Sequence, residues 1–225
     1  MRRFAATAVA LVLVLAPAPA RAQDAESVLD RASTVHAALK SLKVSFEQEI
    51  QNPLTGSRAL ARGEMLQKGP HLLAIHFSQP KGDQIIADGQ NVWIYLPSST
   101  PGQVFRVATG SQASAIAGSV DVLSQFFNEP RKRFDVKDAG TAPIDGKDAR
   151  ALILSPKKGV EAPFVRAVVW VDTKSAYVRQ FETTDASGLV RTVKVTKFSA
   201  NANVKDTEFR FVVPNGVRVI EQPGM

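Results

Sequence analysis

Between Val44 and Val107 the chain is punctuated so closely that an antiparallel meander is the fold it specifies. The runs "HLLAIHF" (His71–Phe77), "GDQIIAD" (Gly82–Asp88), "NVWIYLP" (Asn91–Pro97) and "GQVFRVA" (Gly102–Ala108) are each bounded by Gly, Pro, Asp or Asn, the residues that end strands and make tight turns. Upstream, Val44, Phe46, Gln48 and Ile50 alternate with Lys43, Ser45, Glu47 and Glu49. A turn at Asn52–Gly56 follows, and a second strand runs through Leu60, Arg62, Glu64 and Leu66 to a break at Gly69-Pro70. Not all of these strands are half-exposed. Val92, Trp93, Ile94, Tyr95 and Leu96 are apolar on both faces, so something must cover each face.

Two helical segments are available to do so. Val28, Ala32, Val35, Leu39 and Leu42 recur at steps of four and three from Asp24 onward, which predicts one amphipathic helix. From Thr109 the strand pattern breaks: Gly110–Asn128 is rich in small residues and ends in a helical stripe of Val120, Leu123 and Phe127. Strands resume with "FDVKDA", "DARALILSP", "RAVVWVD", "YVRQFETTD" and "LVRTVKVTKF", and "TEFRFVVPNGVRVI" (Thr207–Ile220) reads as a docking turn and a last short strand. The sum is a mainly β chain with helices (α+β), with about ten strands, one N-terminal helix and one central helical insertion. The helices fit on one side, covering the concave face of a curled sheet and leaving aromatics on the convex face partly exposed. In the strand after His71, bulk favours His71, Leu73, Ile75 and Phe77 as the inward set over Leu72, Ala74, His76 and Ser78. For "NVWIYL" both choices, Val92/Ile94/Leu96 and Trp93/Tyr95, stay open.

The N-terminus predicts export. Arg2 and Arg3 precede an apolar run from Phe4 to Leu15, then "APAPARAQD" with a small-x-small site at Ala20-Arg21-Ala22 before Gln23. Residues 1–22 are read as a signal peptide and 23–225 as one domain, in the periplasm. Of 28 basic side chains three lie in the signal, leaving 25 against 21 acidic, a net charge of +4 for the mature chain. That mild basicity suits work near anionic surfaces and does not indicate nucleic acid. The one dense cluster, Arg131–Arg133, and Lys68 are candidates for partner docking or ordinary solvation. There is no cysteine, so disulfides, thiolate zinc sites and a lipid-anchoring cysteine are excluded.

Catalytic chemistry finds no foothold. His36, His71 and His76 lack metal-ligand spacing, and no G-x-S-x-G elbow places a serine. "ATGSQAS" lacks the lysine of a phosphate loop, and Asp88 before Gly89 is explained by a turn. What remains is apolar surface beyond what a small sheet needs. A greasy cavity between sheet and helices and a solid core are both compatible with the pattern.

Phe46-x-Gln48, Gly63-Glu64, Lys68-x-Pro70, Phe77-x-x-Pro80, Asp88-Gly89-x-x-Val92-Trp93-x-Tyr95-x-Pro97, Gln103-Val104 and Phe209-x-Phe211-x-x-Pro214-x-Gly216-Val217 together resemble the LolA family of periplasmic lipoprotein carriers. The resemblance runs in order from about Asp24 to Ile220. It implies an unclosed antiparallel β-barrel covered by an α-helical lid, with an apolar cavity for acyl chains. Its lipid-binding residues would include Phe46, Leu73, Ile75, Phe77, Trp93, Tyr95, Val120, Leu123 and Phe127, the lid comprising the N-terminal helix and Gly110–Asn128. The small residues from Gly110 to Ser119 offer little side chain to pack, which predicts a mobile lid edge. The resemblance implies no cofactor, no metal and no covalent chemistry. Partners would be triacylated lipoproteins, an inner-membrane LolCDE-type ABC complex and an outer-membrane LolB-type acceptor, met by a monomer in transient proximity to membranes. One position departs from the family, whose arginine before the strand proline bonds the lid shut; here it is Gly69, after Lys68. The competing readings are a carrier or sensor of other lipids on the same fold, and an enzyme.

Overall fold

A computed structural model describes residues 20–108 and 122–222. Helix α1 (Ala20–Ala37) leads into six strands, β1 (Ser41–Gln51), β2 (Arg58–Lys68), β3 (Leu72–Gln79), β4 (Gln84–Asp88), β5 (Asn91–Tyr95) and β6 (Gln103–Ala108). Two short helices follow, α2 (Val122–Phe127) and α3 (Pro130–Arg133). The remaining strands are β7 (Phe134–Ile144), β8 (Lys147–Pro156), β9 (Arg166–Asp172), β10 (Val178–Thr184), β11 (Val190–Ala200) and β12 (Arg218–Gln222), with a 3-10 turn at Asp206–Phe209 before the last. Among the described residues twelve strands thus stand where about ten were expected. The signal segment before Ala20 lies outside the described residues.

All twelve form one sheet, in the order β12-β6-β5-β4-β3-β2-β1-β11-β10-β9-β8-β7. Its end strands β12 and β7 do not pair with each other, so the barrel is unclosed. The meander is antiparallel throughout, and β1 sits at its centre, joining the two halves through β11. Only β12 pairs in parallel, with β6. The tail reaches that edge after crossing the outer face and arrives running in the same direction as β6.

Register shifts at Ser45/Phe46, Arg62/Gly63, Asp138/Thr141 and Val178/Gln180 add twist and let the sheet curl. At Gly63 a side chain is excluded: a Cβ would lie 2.6 Å from the His76 carbonyl oxygen and 3.0 Å from the Phe46 ring. The missing side chain lets Phe46 lie over β2.

The inner face is packed by α1 and α2. Ala25, Leu29 and Ala32 of α1 are fully buried, with Val28 and Val35 half-buried beside them. The helix ends at Ala37, earlier than its apolar stripe suggested, and Leu42 belongs to β1. Two bonds from Arg31 to the carbonyls of Thr173 and Lys174, at 3.2 and 2.5 Å, fix α1 to the β9–β10 turn. That turn is organised by Asp172, which accepts from the N–H groups of Lys174 and Ser175 and pairs with Arg179 at 2.8 Å.

The second apolar face has its own cover. Leu66, Ala74 and Ile86, with Leu72 and Trp93, pack under Ala202, Val204, Phe209 and Phe211 of the tail. Phe209 is 2% exposed, and Lys68 pins the strap by donating to Asp206 at 2.6 Å. The outer aromatics are therefore half-covered by the C-terminal segment.

Candidate binding pocket

Inner-facing residues come in two textures. Over β8–β10 the space is solid: Phe126 of α2 is fully buried, with ring centroids 5.6 Å from Phe164 and 5.4 Å from Phe181. Phe134 stacks on Phe164 at 5.7 Å. Toward β1, β2, β3 and β11 the packing leaves a pocket of about 60 Å³, lined by Val44, Phe46, Gln48, Met65, Ile75, Leu123, Phe181, Arg191, Val193 and Val195. That is room for only a few waters, less than an acyl chain needs. A second cavity, of about 280 Å³, lies at the start of β1 and is lined by His36, Leu39, Leu42, Gln67, Gly69, Pro70 and Ser124 among others. Cavity and solid core, both open on sequence, are thus both present.

Leu123 of α2 is the lid residue over the pocket, and a few polar bonds hold that helix. Ser33 Oγ donates to the Phe127 carbonyl at 2.8 Å. Arg133 donates to the carbonyls of Gln125 and Glu161 and to the Gln125 side chain, at 3.0–3.2 Å. Gln67 reaches Ser124 Oγ at 3.4 Å. Gly69, the position at which the sequence departs from the expected latch arginine, has φ +59° with nothing near a notional Cβ. It borders the larger cavity, and Lys68 points away to Asp206. Neither takes the arginine's place. The basic cluster is also engaged: Arg131 pairs with Asp30 and Glu26 of α1, and Lys132 with Glu129.

Of the lipid-binding residues expected from sequence, Phe46, Ile75 and Leu123 line the pocket. Leu73, Phe77 and Phe127 pack in the same inner cluster, Phe77 edge-on to Phe46 at 5.8 Å. His71, expected inward with them, is exposed before β3 begins. Trp93 and Tyr95 are not in this group. Val92 and Ile94 take the inner positions of β5, and Trp93 faces outward, stacked on Phe211 at 5.3 Å with Tyr95 at 5.8 Å from the same ring. Asp88 fixes that orientation by accepting the Trp93 indole N–H at 2.8 Å and the N–H groups of Gln90 and Asn91. Burial would raise the Asp88 carboxyl, and these bonds outweigh it and hold the group below its ordinary value. Val120 lies outside the described residues, as does the small-residue edge expected to be mobile.

Sequence reasoning passed over β11. Arg191, Val193 and Val195 share one face of it, and the alternation was visible in "LVRTVKVTKF". Gln48 likewise occupies the apolar phase of β1, between Phe46 and Ile50. Among the described residues no group of three His, Cys, Asp or Glu could hold a metal ion.

Residues 37–212 match the family described as "Outer membrane lipoprotein carrier protein LolA". An outer-membrane lipoprotein carrier protein of Methylobacillus flagellatus is 23% identical over 97% of this chain and 98% of its own length. One from Chromobacterium violaceum is 27% identical over 80% and 81%. A crystal structure of an uncharacterized conserved protein from Thermus thermophilus shares the fold, with TM-score 0.55 and 15% identity, covering 89% of this chain and 100% of that one.

Proposed function

The chain belongs to the LolA family of outer membrane lipoprotein carrier proteins, and from that premise we propose that it carries lipoproteins through the periplasm by sheltering their acyl chains on the inner face of the sheet. After cleavage behind Ala22, the mature chain takes triacylated cargo from an inner-membrane LolCDE-type ABC complex and passes it to an outer-membrane LolB-type acceptor. It works as a monomer and catalyses nothing. The observation that carries this reading is the mismatch at α2: a largely apolar pocket of about 60 Å³ under a six-residue helix that is anchored by Phe126 at one end and leaves Leu123 over the gap at the other. Acyl chains gain about 0.8 kcal/mol per buried methylene, whereas each polar bond near Leu123 contributes about 1 kcal/mol. Cargo therefore has ample driving force to push Leu123 aside and occupy the space it fills in the empty protein, with Phe126 still anchored among Phe164 and Phe181. Phe46, Leu73, Ile75, Phe77 and Phe127 become the wall against which the chains lie.

The test is release. Protein from Gln23 onward, added to spheroplasts, should bring triacylated lipoprotein into the supernatant as a stoichiometric complex. Ile75→Glu, shown to be folded by circular dichroism, should release none. Recovery of phospholipid alone would transfer the fold to another lipid, and equal release by the glutamate variant would remove the pocket from the account.

A further inference from the structure

Two polar side chains interrupt the apolar lining of the inner pocket. Arg191 on β11 lies opposite Ile50, and Gln48 on β1 lies opposite Val193, so the two are diagonal neighbours on one face. Among the described residues, everything else lining that pocket is apolar. Among the described residues, neither side chain makes a hydrogen bond or an ion pair. This sets Arg191 apart from the other arginines of this half of the sheet with little exposure, since Arg150 and Arg179 each hold a carboxylate, Asp138 and Asp172, at 2.8 Å. The acid that acts on Arg191 is Asp185 in the β10–β11 turn. Its carboxylate is committed to Ser187 and to the Leu189 N–H. Burial pushes the Arg191 guanidinium below its ordinary value, and Asp185 offsets this only in part.

A guanidinium partly drawn from water, with no hydrogen-bonded acid and only a nearby one, is costly, and the cost is recovered when an anion meets it. Its planar fork fits either a carboxylate or a phosphate with paired bonds, and the Gln48 amide supplies a further donor. We propose that Arg191 and Gln48 seat the anionic head group, carboxylate or phosphate, of an amphiphile whose chain enters the adjoining apolar pocket. The first carbons fit the existing space and a longer chain displaces Leu123, so recognition of the head and opening of the gap occur together. This assignment does not depend on lipoprotein being the cargo.

The experiment is displacement of a polarity-sensitive probe, 1-N-phenylnaphthylamine, from the mature protein by dodecanoate, dodecyl phosphate and dodecanol, each below its aggregation threshold. Both anions should bind roughly ten- to hundredfold more tightly than the alcohol, the range expected for charge-assisted hydrogen bonds. Their relative rank separates a fatty-acid-like ligand from a phospholipid-like one, and either order supports the site. Arg191→Gln should erase the preference and leave dodecanol within about twofold of its original affinity, Arg191→Lys should restore part of it, and Gln48→Leu should reduce it. Equal affinity for all three ligands, a preference that survives in Arg191→Gln, or displacement by inorganic phosphate as effective as by dodecyl phosphate would each overturn the proposal. If Arg191→Gln does not fold, the ranking in the unaltered protein decides.

Discussion

Both faces of the β2–β5 half-sheet are apolar and each is covered by a segment from elsewhere in the chain, but the two covers are built differently. Outside, the tail is inserted: Phe209 is 2% exposed, Phe211 stacks on Trp93, and β12 adds a ladder to β6. Inside, α2 is a short helix with Leu123 over a gap, attached through Ser33, Gln67 and Arg133. Ring stacking and a strand ladder hold the outer cover along its length. The inner cover is gripped unevenly: Phe126 is fully buried against Phe164 and Phe181, whereas Leu123 at the other end lies over the gap. The proposed carrier function assigns exchange of contents to that inner gap.

The contrast can be broken most forcefully from the outside. Phe209→Ala should cost about 3–5 kcal/mol, read as a lowered urea midpoint, while lipid affinity per folded molecule stays unchanged. A loss of lipid affinity with stability intact would erase the distinction. Next comes the anchor of α1. Burial alone would raise the Asp172 carboxyl, but the Ser175 N–H, Arg179 and the Lys174 N–H outweigh it and hold it at about 2 against 3.8. With the folded value depressed, its contribution, roughly 2 kcal/mol, is complete above the unfolded value near pH 4 and lost as pH falls through about 2. Asp172→Asn should flatten the acid limb of the stability profile in that window and loosen α1 at Arg31. An unaltered limb would show that the turn does not depend on this charge.

The smaller effects bear on the lid itself. Ser33→Ala removes the bond to Phe127 and should cost about 1 kcal/mol, appearing as faster amide exchange in α2 and faster lipid uptake. Exchange that speeds up over the strap instead would reverse the assignment. Smallest of all, Lys68→Met breaks the exposed pair with Asp206 and should leave the urea midpoint almost unmoved, since exposed ion pairs contribute little, with no change in uptake rate.

The meander was legible because its turns are spelled by Gly, Pro, Asn and Asp, and the inward set Leu73, Ile75 and Phe77 because, Leu72 apart, its neighbours on the strand are smaller or polar. Trp93 and Tyr95 were not assignable in the same way. Both faces of β5 are apolar, and the choice is made by Asp88 at one end of the strand and by Phe211, far away in sequence. The tail was read as a docking turn, but which face it docks on is a tertiary fact with no local signal. Nor does periodicity report volume: the same alternation serves the ring-filled half around Phe126 and the gap beside Ile75. Arg191 and Gln48 could have been found, since each is a polar residue in the apolar phase of its strand.

The position of β1 has a kinetic consequence. Its neighbours are β2, joined by a short hairpin, and β11, which lies at the far end of the chain. Apart from β12, each half-sheet can assemble from local hairpins, but the seam between them closes only when β11 arrives, and such long-range pairing is intrinsically slow. A chain threaded N-terminus first across a membrane would therefore keep its central strand half-paired until nearly all of it had emerged, delaying the locked fold to the end of transit.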